Sequence, residues 1–359
     1  VTAHTQYMKL IAATDKGLLV YERVAGLWTL KDIQFIGMPV GCFHHDERNG
    51  SWWVAINHKH WGPKLYKSGD EGETFKEINV PRFDTPQFTL RSIWTISHGV
   101  HDDPNRLYVG VEPAAVFVTP DEGKSFQELK GLSEHHSRAS WQGGGKGSKN
   151  PFLHTILVHP DDTTHLIAGI SCAGVFQSRD SGNSWTATNK GLEAFYLPNS
   201  DIEVGHDPHC MQIPEVNTQV IWQQNHCGIY RSEDKGNSWI NVSDPNGIAS
   251  YGFAIVADDT DDQKAWVIPA RSDDQRFPYR NQLAVYHTAD GGKSWQAQRD
   301  GLPQNGSFDL VLRSGFAGKN GLLAFGTNNG NLYLSEDGGE SWRALSQNLS
   351  VVRQVVIVP

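Results

Sequence analysis

Imidazoles, carboxylates and guanidiniums gather at the turns of this sequence in combinations that could bind or transform a small molecule. The densest group is HDPHC followed by QNHC, which holds His206, His209, Cys210, His226 and Cys227. Neutral imidazole and thiolate are good ligands for zinc-like divalent ions, so a metal site is one reading of it. The spacing H-x-x-H with a distant H-C is no established zinc pattern, and a hydrogen-bonded histidine pair lining a wet channel is the other reading. His154 could add a further wall to the same site. Glu112 ends the apolar run VGVE, where partial desolvation would suit a general acid or base; an ion pair with Arg91 or Arg271 is the structural alternative. Ordinary glycoside hydrolysis needs two carboxylates, and Glu203, Asp207, Asp273 and Asp274 are possible partners that nothing in the sequence separates. Arg91, Arg138, Arg271 and Arg276 could hold the carboxylate of an acidic sugar or could simply be solvated. Trp61 and Trp141 fall in loops, free to stack on a sugar ring or a partner, and His58 sits beside Trp61 in NHKHWG.

The elements that position these groups follow from an internal repeat. SGDEGETF, TPDEGKSF, SRDSGNSW, SEDKGNSW, TADGGKSW and SEDGGESW share one pattern: Ser or Thr, any residue, Asp, any, Gly, any, Ser or Thr, aromatic. The aromatics Phe75, Phe126, Trp185, Trp239, Trp295 and Trp342 recur every 47 to 59 residues, the period of a propeller blade. Each copy separates two strand-like runs, so the Asp is expected to accept turn N–H groups and the Gly to supply a left-handed backbone angle. VYERVAGLWTL, with Trp28 as its aromatic, is a degenerate seventh copy with Arg23 in place of the Asp. Each unit reads as four short strands, A to D, but the N-terminal unit has only three, and the chain ends in the lone strand VVRQVVIV. The expectation is an all-β, seven-bladed β-propeller of four-stranded antiparallel blades, closed by the C-terminal strand completing the N-terminal blade. Residues 1–359 form one domain in this reading, with Val1–Tyr7 a tail ahead of Met8.

In such a fold the B-to-C turns and D-to-A connections share one face, the mouth face here. It collects His58, Trp61, Glu112, Cys172, His226, Arg271, Asp273 and Arg276 from the turns, and Arg91, His135, His136, Arg138, Trp141, Lys146, Lys149, Asp201, Glu203, His206 and His209 from the connections. GGGKGSKN is glycine-rich enough to act as a lid over that mouth, and it lacks the GxxxxGK[ST] of a phosphate loop. His45, His98, His101, His159 and His165 fall at A-to-B turns on the other face, where capping or solvent exposure is expected.

Six such boxes at blade spacing resemble the Asp-box, or BNR-repeat, propellers, a group that includes sialidases, xyloglucan-degrading enzymes, sortilin-type receptors and photosystem II assembly factors. Phrases such as LHTILVHPDD are similar to bacterial BNR-repeat proteins labelled glycosyl hydrolase or sialidase-like. The resemblance covers nearly the whole chain and implies the fold. The Phe-Arg-Ile-Pro motif of sialidases is absent, which argues against sialidase activity itself.

Composition narrows the partners. Thirty-one Lys and Arg stand against 40 Asp and Glu, a formal net charge of −9, which gives no electrostatic reason to bind nucleic acid. No apolar run is long enough to span a bilayer. Four cysteines are too few for a disulfide scaffold, which fits a cytoplasmic location, or a periplasmic or secreted one if a leader has been removed. The first functional reading is a glycosidase-like enzyme on an anionic saccharide, with Glu112, His209 and His226 in acid/base roles and His58, Trp61, Arg91, Arg138, Trp141, His154, His206, Arg271, Asp273 and Arg276 around the substrate. Its rivals are a non-enzymatic binding or assembly propeller, a uronate lyase using His and Arg, and an enzyme assisted by a divalent metal at the histidine cluster.

Overall fold

The computed structural model describes residues 8–100, 103–144, 149–199 and 201–359. The proposed N-terminal tail, His101 and the lid residue Lys146 lie outside them. Among the described residues, seven four-stranded antiparallel sheets surround one axis. Blade 1 pairs Val352–Val358 with Lys9–Thr14, then Gly17–Val24 and Leu27–Gln34, so the last strand of the chain completes the first sheet as expected. Blades 2 to 7 take residues 40–78, 92–128, 153–187, 208–241, 252–298 and 311–346 in turn. Their innermost strands are Val40–Asp46, Ser92–His98, Leu153–Val158, Pro208–Gln212, Gly252–Ala257 and Val311–Lys319, and these neighbour one another in a closed ring with Val352–Val358. One parallel bridge, Ser314 to Gln354, joins the inner strands of blades 7 and 1.

The strands are short and apolar on both faces because each sheet is covered on both faces. Seven clusters of buried side chains lie one between each pair of consecutive blades. Trp52 and Trp53 illustrate the two-residue period: Trp52 packs with Phe43 and Val20 toward blade 1, and Trp53 with Leu107 and Phe117 toward blade 3, each 1% exposed. Truncating a side chain of this size in such a position costs about 3–5 kcal/mol.

The repeat turns act as staples. Ser68 Oγ accepts the Gly72 N–H (2.9 Å) and donates to Asp70 Oδ1, which in turn accepts the Thr74 N–H, while Thr74 Oγ1 donates to Asp70 Oδ2. The same pattern recurs at Asp121, Asp180, Asp234, Asp290 and Asp337. Gly72 has φ +89° and a Cβ there would sit 2.5 Å from the Trp52 ring, so both backbone and space require glycine. In the seventh, degenerate copy a two-residue turn, Ala25–Gly26, replaces the box. Its Arg23 pairs instead with Glu336 of blade 7 (2.8 Å), and Trp28 still packs between blades 7 and 1.

On the far face His159 caps a turn as expected, its Nδ1 accepting the Asp161 N–H, whereas His165 donates to Gln177 Oε1 (2.8 Å); the two rings are fully buried and stacked 5.0 Å apart, not solvated. A second far-face device joins blades 2 and 3. Arg48 binds both oxygens of the buried Asp46 (2.8 and 2.7 Å) and donates to the Val100, Asp103 and Arg106 carbonyls of the next blade's turn. Burial would raise the Asp46 carboxyl, but the Arg48 hydrogen bonds and charge outweigh it and hold it below the usual carboxylate range. Arg48→Met, which leaves that carboxylate buried and unpaired, should lower stability by about 3–5 kcal/mol in urea unfolding at neutral pH. Because the folded form of Asp46 binds its proton less readily than the unfolded form, its contribution is present above about pH 4 and lost below it. Asp46→Asn should therefore be less stable than wild type at pH about 7, with the gap narrowing at pH about 3.

Candidate functional site

All six inner strands of blades 2 to 7 break register near their first residues, at the mouth face. The partner strand skips Gly41, Trp94, His154 and His209 in blades 2 to 5, and wider bulges take in Phe253 and Ala254 in blade 6 and residues 312–315 in blade 7. A bulged residue has no ladder partner and its side chain is re-aimed. Here the bulges bring together residues from five blades. Trp94 stacks on Phe152 at 4.0 Å, the Arg313 guanidinium lies 5.1 Å from Phe152 and 5.4 Å from Phe253, and Phe253 stacks on His209 at 4.5 Å.

The chemical centre sits at the His209 end of this column. Asp207 immediately precedes the inner strand of blade 5, His209 is its bulge, and His226 occupies the turn between Ile221–Asn225 and Gly228–Ser232. The His226 N–H donates to the Asp207 carbonyl (2.9 Å), fixing the turn against the strand. Asp207 Oδ1 accepts the Ser171 hydroxyl (3.0 Å) and the Cys172 N–H (3.1 Å) from blade 4. Asp207 Oδ2 faces His209 Nε2 at 3.3 Å and His226 Nδ1 at 3.5 Å. His209 Nδ1 donates to the Gly252 carbonyl of blade 6 at 2.6 Å. Tyr196 and Tyr251 meet the His226 ring edge-on at 5.0 and 5.5 Å.

Burial alone would raise the Asp207 carboxyl, yet His209, His226 and Arg313 together hold it well below the ordinary range. Burial lowers His209, with Asp207 opposing. Arg313 makes no ion pair among the described residues, and its Nε is buried without a hydrogen-bond partner there. The Cys172 thiol is pushed up to about 12 by burial and the nearby Asp207 charge, which leaves it a poor nucleophile.

The histidine group expected from the sequence is thus rearranged. His209 and His226 meet, as antiparallel pairing of their strands implies. His206 turns away, its Nε2 on the Ile202 carbonyl (3.2 Å), and Cys210 points to the Ile255 carbonyl and packs between blades 5 and 6. Cys227 is buried outside the cluster. Asp207, only one of four undifferentiated carboxylates in the sequence, is the residue that organises the site. His154 is buried beside it, with Nδ1 on Thr155 Oγ1 and the charges of Arg313, Asp207 and His209 acting on its ring.

Other candidates lie farther out. Glu112 accepts from Ser92 Oγ (3.0 Å) and Trp94 Nε1 (3.4 Å), at the opposite end of the aromatic column, and has no hydrogen bond or ion pair to His209 or His226. Its link to Arg91 is between backbones, Arg91 N–H to the Glu112 carbonyl. Arg276 pairs with Asp273, which also accepts the Tyr251 hydroxyl, and Arg276 lies 5.3 Å from the Phe253 ring. Arg271 is exposed on the same loop. His58 Nδ1 accepts two turn N–H groups, and Trp61 stacks on its ring at 4.2 Å while remaining 64% exposed. Trp141 departs from expectation: it is 8% exposed, packed 4.8 Å from Phe176 with Arg138 over its face, so its ring belongs to the core between blades 3 and 4. Burial lowers Arg138 to about 10. Sequence reasoning missed Arg313, Phe253, Trp94 and Ser171, none of which stands in a motif. The only signal for them was their place one or two residues into a strand A or at the end of a strand B.

No protein-family model matches the sequence, and no curated protein does. Solved structures match in shape. An ancestral GH74 enzyme aligns with 86% of this chain and 38% of its own at 16% identity, TM-score 0.57. The periplasmic gluconolactonase of Pseudomonas aeruginosa aligns over 99% of both chains at 14% identity, TM-score 0.61. YCF48 bound to a D1 peptide aligns over 96% of this chain and 85% of its own at 13% identity, TM-score 0.53. The chain therefore spans less than two fifths of the GH74 enzyme it matches. At these identities the likeness is one of fold, and the chain is a β-propeller.

Proposed function

We propose that this propeller is a carbohydrate-active enzyme, a glycosidase-like hydrolase that acts on an anionic saccharide at the mouth of its central channel. The observation that carries this reading is the juxtaposition of two features from different blades. One is Asp207 with both oxygens engaged and two imidazoles converging on one of them. The other is Arg313, a cation with no carboxylate partner among the described residues. A guanidinium held between ring faces suits recognition of a sugar carboxylate, while in the Asp207–His209–His226 group Asp207 takes the proton of the attacking water and His226, the more exposed imidazole, delivers one to the leaving sugar oxygen. Exposed aromatic side chains on the mouth face, Trp61 (64%), Phe195 (71%), Tyr196 (43%), Tyr279 (44%) and Phe308 (59%), offer stacking surfaces for further sugar rings. The six repeat turns resemble those of the Asp-box propellers, and we place the chain among them as part of this reading. Fold likeness favours no activity, since the similar structures include a GH74 enzyme, a gluconolactonase and a peptide-bound YCF48.

The test is a panel of uronate-bearing and matched neutral oligosaccharides. Wild type should release sugar from the anionic members, and Asp207→Asn should lower kcat/KM by about 10²- to 10⁴-fold. A panel that is bound but never cleaved would overturn the reading and leave a binding propeller. Glu112→Gln should cleave at close to the wild-type rate. A loss equal to that of Asp207→Asn would move the acid/base chemistry to the far end of the aromatic column.

Arg313→Met keeps the packing volume between Phe152 and Phe253 and removes the charge. It should raise KM for the anionic substrates about 10- to 100-fold, the weight of a lost charged hydrogen bond, while changing the neutral ones little. An equal loss on both would assign Arg313 a packing role.

A further inference from the structure

The three side chains at the centre of the site have the geometry of a ligand set. Asp207 Oδ2, His209 Nε2 and His226 Nδ1 all lie within 4.8 Å of one another, with Oδ2 at 3.3 Å from the first nitrogen and 3.5 Å from the second. Ligands about 2.0–2.1 Å from a tetrahedral zinc ion stand about 3.3–3.4 Å apart, so both measured separations fit two edges of that tetrahedron. We propose that Asp207, His209 and His226 bind one divalent transition-metal ion of the zinc class, with the fourth position facing the channel.

Two further observations, independent of those distances, point the same way. His209 Nδ1 donates to the Gly252 carbonyl at 2.6 Å, which fixes the tautomer and turns the Nε2 lone pair toward Asp207 Oδ2. An outer hydrogen bond of this kind is the usual support of a metal-bound imidazole. Asp207 Oδ1 is occupied by the Ser171 hydroxyl and the Cys172 N–H, so Oδ2 alone is left for a cation. Without an ion, His209 meets Oδ2 only if its Nε2 carries a second ring proton, which makes the 3.3 Å contact a hydrogen bond from an imidazolium, in a site where the His209 side chain is 1% and the Asp207 side chain 10% exposed. The His226 side chain, 22% exposed, marks the open side. Two imidazole nitrogens and one carboxylate oxygen favour zinc, cobalt or nickel over magnesium or calcium, which prefer oxygen. An anionic sugar entering the mouth would then meet two cationic centres, the ion and Arg313. The proposal deepens the functional reading above, and its test is read without turnover.

The full-length protein, stripped with chelator and dialysed, is titrated with Zn²⁺, with Co²⁺ as a spectroscopic probe and Mg²⁺ as the control. The expected result is one Zn²⁺ per chain, a rise in the thermal midpoint, a Co²⁺ visible spectrum of low-symmetry four-coordinate type, and no response to Mg²⁺. His226→Ala, the most exposed of the ligands, should abolish the Co²⁺ spectrum and weaken Zn²⁺ at least 100-fold. Ser171→Ala should weaken it about 10-fold through Asp207 alone. Zn²⁺ that binds only in excess over the chain, or identically in wild type and both variants, overturns the site. A stripped protein that takes up no Zn²⁺ yet cleaves anionic saccharide refutes the ion and keeps the hydrolase. One tight Zn²⁺ without cleavage of any saccharide supports the site and refutes the hydrolase.

Discussion

Every sheet in this molecule is apolar on both faces, and that one constraint organises the rest. A sheet of this kind cannot sit at a solvent boundary, so each blade needs a neighbour on either side, and only a closed ring gives every blade two. The seven buried clusters, one per interface, are the physical form of that requirement. Closure depends on residues far apart in sequence, as in the Arg353–Asp15 pair, whose members are separated by 338 positions and held by two hydrogen bonds of 2.7 Å.

The site inherits its rigidity from the ring. Its side chains come from blades 3 to 7, and none could hold its place if the blades moved independently. The aromatic column shows how a cation is accommodated where water is scarce. Arg313 loses hydration, but the faces of Phe152 and Phe253 attract its charge, and the Asp207 carboxylate adds a longer-range attraction. The same cation helps keep Asp207 ionised inside the protein, so the middle of the column supports the charge at its His209 end.

The architecture was legible in the sequence because its signals are local and repeated. A turn that needs Asp and Gly at fixed offsets announces itself each time, and even the degenerate copy at Trp28 could be placed by spacing. The site was only partly legible. Antiparallel pairing of the strands beginning near His209 and ending near His226 brought those two residues together on paper, because that contact lies within one blade. Asp207 could not be told from Asp273 or Glu203, since what distinguishes it is the Ser171 hydroxyl and the Cys172 N–H of another blade. His206, three residues from His209, seemed equally eligible until the backbone before the strand turned it toward Ile202. Trp141 sat in a loop by pattern, yet the loop folds back and packs it against Phe176. Arg313 lay in a strand with no motif, and its role arises from a bulge that no residue type announces.

Those bulges also separate two kinds of selective pressure within a single strand. A residue that pairs in the ladder is judged by its fit to the neighbouring blades, whereas Gly41, Trp94, His154 and His209 stand outside the ladder near the mouth face. Gly41 has no room for a side chain, since a Cβ there would lie 2.1 Å from Asn57 Nδ2, whereas Trp94 and His209 answer to the rings they stack on, Phe152 and Phe253. From blade 3 onward the bulges thus form a run of sockets, in which aromatic, imidazole and guanidinium already alternate from blade to blade. New chemistry could be acquired there one position at a time, while the staples and the interblade clusters keep the scaffold unchanged.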